Sequence, residues 1–90
     1  MRSLGKNRKD RNGLKQGLWE EYYSGGELRS KGSYKDDKPE GYWEYYTNGR
    51  IQFKGSYKYD KADGIWEEYN EDGILKERRL YEDGNFIKWL

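Results

Sequence analysis

Ninety residues with 32% hydrophobic, 39% charged and 18% aromatic side chains describe one small domain with a thin core. The chain has no Cys and no His, which removes a disulfide framework, a thiolate nucleophile, an imidazole base and a Cys/His zinc site. Disorder, the common state of a charged and weakly hydrophobic chain, is opposed by ten Tyr, four Trp and two Phe.

Charge is uneven along the chain. Residues 1–16 hold six basic residues and one acidic, net +5; residues 17–90 hold twelve basic and sixteen acidic, net −4. Residues 1–12 show no repeat pattern and read as a flexible basic arm whose deletion leaves the chain folded. Its charges have no aromatic among them, so nucleic acid is a weak expectation there, and the acidic body disfavours it elsewhere. No apolar run reaches the ~20 residues of a membrane helix. The N-terminus lacks the apolar stretch of a signal peptide, so a cytoplasmic location is expected.

Residues 13–90 repeat themselves. Gly17-Leu18-Trp19-Glu20 recurs as Gly41-Tyr42-Trp43-Glu44 and Gly64-Ile65-Trp66-Glu67, at offsets of 24 and 23 residues. Lys31-Gly32-Ser33-Tyr34-Lys35 recurs as Lys54-Gly55-Ser56-Tyr57-Lys58 and degrades to Arg78-Arg79-Leu80-Tyr81-Glu82. Between the blocks lie Gly25-Gly26, Asn48-Gly49 and Asp72-Gly73, each followed by an aliphatic: Leu28, Ile51 and Leu75. The units span 17–40, 41–63 and 64–86, with a C-terminal cap at 87–90.

Each unit predicts a β-hairpin, because Asn-Gly, Asp-Gly and Gly-Gly supply the positive φ of tight turns between Trp- and Tyr-rich runs. Strands are expected over 17–23, 27–35, 41–46, 50–58, 64–69, 74–81 and 86–89. Residues 36–40 and 60–63 read as loops. Alternation puts Trp19, Trp43 and Trp66 on one face with Leu28, Ile51, Leu75, Tyr34 and Tyr57. Tyr22, Tyr46 and Tyr69 fall on the other with Glu20, Glu44, Glu67, Arg29, Gln52, Lys76 and Lys31. A turn at Gly25-Gly26 pairs Tyr23 with Leu28, Glu20 with Lys31 and Trp19 with Gly32; the third turn pairs Glu67 with Arg78. Trp19 then covers the bare backbone of Gly32. The shorter first strand of the second unit demands a bulge or another turn type.

The Gly-x-Trp-Glu block followed by Lys-Gly-Ser-Tyr-Lys resembles the bacterial variant of the MORN repeat, found in YwqK-like antitoxin proteins. Asn12-Gly13-Leu14-Lys15-Gln16 looks like the tail of a preceding partial unit. The resemblance implies an all-β fold, an elongated curved antiparallel meander of about seven strands in a single layer. It also implies an interaction module, with toxin neutralisation as its role; scaffolding and the recognition of membrane lipid come with related repeats.

Chemistry is not expected of this chain. Glu20, Glu44 and Glu67 recur identically, and a catalytic pair needs differentiated roles. No residue is assigned as catalytic or metal-binding, and no cofactor is expected. Tyr and Trp dominate binding hot spots, so the candidate binding residues are Tyr22, Tyr46 and Tyr69 on the charged face and Trp19, Trp43 and Trp66 on the aromatic one. The Trp row is the expected core. A protein partner such as a toxin fits the mixed-charge face; a lipid surface or a glycan is the alternative. Phe86, Ile87, Trp89 and Leu90 form an apolar last strand that either tucks against the aromatic face or pairs with a second copy as a homodimer.

Overall fold

The computed structural model describes residues 5–90 and contains nine antiparallel strands in one sheet. They are β1 (Arg8–Lys9), β2 (Lys15–Tyr22), β3 (Leu28–Lys35), β4 (Lys38–Thr47), β5 (Arg50–Lys58), β6 (Lys61–Ala62), β7 (Gly64–Tyr69), β8 (Leu75–Glu82) and β9 (Asn85–Trp89). Their order is β1-β2-β3-β4-β5-β7-β8-β9, with β6 pairing onto β5. Sequence neighbours are sheet neighbours, so the single-layer meander is the architecture.

The segments expected as loops are tight turns instead. Asp36 and Asp37 have φ of 50° and 72°, and Tyr59 and Asp60 have 53° and 69°. Two successive positive φ angles make the turn whose twist matches the flanking strands. Pairing therefore continues through Lys38–Glu40 and Lys61–Ala62.

The Gly-bearing turns are also not uniform. Tyr23 N–H donates to Glu27 O, and Gly26 N–H to Tyr23 O, which closes a three-residue loop over 24–26. Asn70 to Ile74 repeats this geometry. Leu28 consequently pairs with Tyr22, not Tyr23. One extra residue, Arg29, then restores the expected partners Glu21↔Ser30, Glu20↔Lys31 and Trp19↔Gly32. The second unit keeps a two-residue Asn48-Gly49 turn and has its bulge at Gln52, while the third bulges at Lys76.

These bulges correct the face assignment, because one extra residue inverts the parity of everything on its turn side. Leu28, Ile51 and Leu75 pair with Tyr22, Tyr46 and Tyr69 on the charged face. Arg29 and Lys76 cross to the Trp face, where they meet Glu21 at 2.9 Å and Glu68 at 3.6 Å.

A second insertion marks each junction between units. Gly32 pairs with Trp43, but Ser33 pairs with Glu40, which leaves Gly41 and Tyr42 without partners on β3. Gly41 has φ of 77°, a conformation that costs a residue with a Cβ, hence the recurrent Gly of Gly-x-Trp-Glu.

The core is a row of aromatics lying on the sheet. Trp43 is only 2% exposed although the described residues form a single sheet with no second layer over it. Its indole lies against Gly32, where a Cβ would come within 2.0 Å of the ring. Tyr34 and Tyr57 stand edge-on to it at 5.0 and 6.1 Å, and Tyr45 stacks at 6.0 Å. Trp66 covers Gly55 in the same way. The ring over Gly32 thus belongs to the next unit and not to Trp19 of the same hairpin. Each unit is locked onto its predecessor by its own Trp.

The stretch expected as an unpatterned arm is part of this scheme. Arg8 and Lys9 pair with Gln16 and Lys15. Trp19 Nε1–H donates to Arg8 O as Trp43 and Trp66 donate to Ser33 O and Ser56 O, all at 3.1 Å. Lys6-Asn7-Arg8 therefore stands where Lys31-Gly32-Ser33 stands one unit later. Asn7 has φ of 60°, and its amide both accepts from Glu20 N–H and donates to Glu20 O. Arg2 lies in residues 1–4, outside the described residues. Deleting residues 1–12 should leave a folded β chain by circular dichroism but lower its melting temperature by several degrees, because the β2 edge and Trp19 lose their cover. An unchanged melting temperature would contradict the half-unit role.

At the other end β9 pairs with β8, and Trp89 faces Arg79, the residue that replaces the repeat Gly. The Arg79 guanidinium lies 5.1 Å from the Trp89 ring and 2.7 Å from Glu68. Phe86 contacts Tyr81 and Trp89. The side chain at 79 keeps Trp89 off the backbone, so it remains 58% exposed. The cap expected at 87–90 is thus a paired strand with half-exposed apolar side chains.

Candidate interaction surface

Six strands, β2, β3, β4, β5, β7 and β8, each contribute one charge to a single row on the face opposite the Trp residues. Glu20, Lys31, Glu44, Lys54, Glu67 and Arg78 are successive cross-strand partners, and Lys6 extends the row past Glu20. Lys54 lies 3.6 Å and Arg78 3.2 Å from Glu67. Such exposed pairs contribute a few tenths to about 1 kcal/mol each. Lys31 makes no ion pair among the described residues.

The tyrosines proposed as binding residues clasp this row. Tyr22 Oη–H donates to Glu20 at 2.8 Å, Tyr46 to Glu44 at 2.8 Å and Tyr69 to Glu67 at 3.1 Å. Lys6 lies over the Tyr22 ring and Lys54 over the Tyr69 ring at 5.3 and 5.4 Å. The hydroxyls are therefore committed within the sheet, and the ring surfaces remain for contact. Tyr42 also donates to Glu44, at 3.0 Å. It was not among the expected site residues. The sign was the x of Gly-x-Trp-Glu, apolar in all three units although one residue from the core. Trp19, Trp43 and Trp66 line the opposite face, with Lys15 over the Trp19 and Tyr34 rings at 4.8 Å each.

Protonation follows the same contacts. The Lys6 ammonium and the Tyr22 hydroxyl, hydrogen-bonded to Glu20, hold its carboxyl below the usual carboxylate range, and Lys6 is raised in return. Burial, then the bond to Glu44, pushes Tyr46 up to about 12. Burial and the 2.8 Å hydroxyl contact with Tyr57 push Tyr45 higher still. A raised phenol pKa favours the folded state below the unfolded value near 10, and this contribution is lost as pH rises through 12. The melting temperature should therefore fall between pH 9 and 11.5. A Tyr45→Phe/Tyr46→Phe variant should lose less over that interval than the unaltered chain, and equal losses would refute the assignment.

Paired hairpins, a Trp-over-Gly lock and a clasped charge row define a single-sheet hairpin-repeat protein. The model of the MORN repeat variant family matches residues 15–36, 39–59 and 62–83, well over half of the chain, and the chain belongs to that family. No curated protein and no solved structure matches it. MORN repeats are non-catalytic modules that bind proteins or lipids.

Proposed function

We propose that this chain is a non-enzymatic, cytoplasmic protein-interaction module whose partner lies across the charged face, and that the partner is a toxin it neutralises. The observation that carries the protein-binding reading is exposure on a committed scaffold. Leu18, Tyr22, Tyr42 and Ile65 are each more than two-fifths exposed on one face. That face is anchored by the clasped Glu–Lys row, so it presents ordered aromatic surface at small entropic cost. The toxin rests on the resemblance of the repeat blocks to YwqK-like antitoxins. The near balance of charge along the row offers little to an anionic membrane.

The test is affinity purification of the tagged chain beside a Tyr22→Ser/Tyr46→Ser/Tyr69→Ser variant that retains its melting transition. One protein recovered stoichiometrically with the first and lost with the second, and toxic when expressed alone, supports the reading. Retention on phosphatidylserine vesicles with no protein recovered overturns it.

A further inference from the structure

We propose that the charged face is built to receive an amphipathic α-helix lying across the strands, with apolar side chains every seven residues. This deepens the protein-interaction reading above and rests on it. The starting point is the junction insertion. At each unit boundary a two-residue Gly-x insertion precedes the Trp, and x has no place in the aromatic row. Leu18, Tyr42 and Ile65 occupy x, and they are 44%, 52% and 44% exposed. Nothing in the sheet requires them to be apolar. The side chain two residues on, Glu20, Glu44 or Glu67, belongs to the charged row, so x projects from the same face, alongside that row.

Spacing selects the occupant. Leu18, Tyr42 and Ile65 stand on β2, β4 and β7, each two strands from the next. Two strand spacings are about 9.6 Å. Seven residues of α-helix rise about 10.5 Å. A helix tilted about 24° from the row brings the two repeats into step across all three units. An extended peptide laid along the same line advances about 3.3 Å per residue and meets the sites at a period near three, which places successive contacts on different faces of the strand. The charged row adds a second match. Its signs alternate at about 4.8 Å, close to the 4.5–6 Å separating i, i+3 and i+4 positions on a helix. Lys31, the one row cation between Leu18 and Tyr42 without an ion pair among the described residues, fits an acidic side chain on that helix.

The test is selection of 21-residue peptides from a random display library on the full chain, with counter-selection on a Leu18→Ser/Ile65→Ser variant. Both substituted side chains are exposed, and an unchanged melting temperature shows that the variant folds. Enriched peptides are expected to carry apolar residues at i, i+7 and i+14, to gain helical circular dichroism on binding, and to bind the variant at least 10-fold more weakly. Changing the spacing of one such peptide from seven to six should cost a comparable factor. Enrichment of peptides without the seven-residue period, or binding indifferent to the variant, overturns the helix while leaving the interaction module standing. No enrichment also overturns it, and a partner recovered by affinity purification then shows that the broader reading survives.

Discussion

Trp43→Ala is expected to remove most of the stability of the fold. Truncating a buried aromatic costs about 3–5 kcal/mol, and a domain of this size has roughly 5–13 kcal/mol in total. The cost should fall at the high end for a structural reason. In a layered protein a truncated core residue leaves a cavity that neighbours partly fill from two sides. Here Trp43 lies on a single sheet, against the Gly32 backbone and beside Tyr34, Tyr45 and Tyr57, so its loss opens the row to water. It also leaves Ser33 O without its 3.1 Å donor. Trp89→Ala, at a site 58% exposed, should cost under about 1 kcal/mol. Urea melts of the two variants check the contrast. Similar midpoints would mean that the indole of Trp43 does not organise the sheet.

The repeat made the row arrangement legible before any coordinates. Glu20↔Lys31 and Glu67↔Arg78 pair as the spacing requires, and the second unit has the irregularity that its shorter strand demands. The faces of Leu28, Ile51 and Leu75 were not legible, because parity depends on bulges at Arg29, Gln52 and Lys76. A three-residue loop plus a bulge keeps the same register beyond the bulge as a two-residue turn, so the distant pairs cannot distinguish them. The half-unit at Lys6-Asn7-Arg8 was hidden by a substitution. Asn7 stands where the later units have Gly32 and Gly55, and its side-chain amide accepts from Glu20 N–H and donates to Glu20 O, a role that a glycine cannot fill. At the surface, Tyr22, Tyr46 and Tyr69 were legible as one face, but their hydroxyl commitments to Glu20, Glu44 and Glu67 were not. Those depend on the side chains two apart on one strand turning toward each other.

Gly32→Ala is the sharper test of how the units are joined. A single methyl group here should cost about 3 kcal/mol, the upper range for overpacking. The nearest atoms to a Cβ at Gly32 are ring carbons of Trp43 at 2.0 and 2.2 Å, and at Gly55 those of Trp66 at 2.1 and 2.4 Å. The indole cannot move aside cheaply, since its Nε1–H is bonded to Ser33 O and Tyr34 and Tyr57 close both flanks. Gly41→Ala separates this clash from backbone strain. Gly41 has φ of 77° with nothing within 4 Å of a Cβ, so its substitution should cost only about 1 kcal/mol. Thermal melts should therefore rank Gly32→Ala and Gly55→Ala well below Gly41→Ala. If the repeat Gly were instead covered by the Trp of its own hairpin, Trp19→Ala would relieve the Gly32→Ala defect. With Trp43 over the site, the two changes should add independently, and only Trp43→Ala should be strongly non-additive with Gly32→Ala in a double-mutant cycle. Coupling of Gly32 to Trp43 across the unit boundary is what makes a row of hairpins, each too small to fold alone, behave as one sheet.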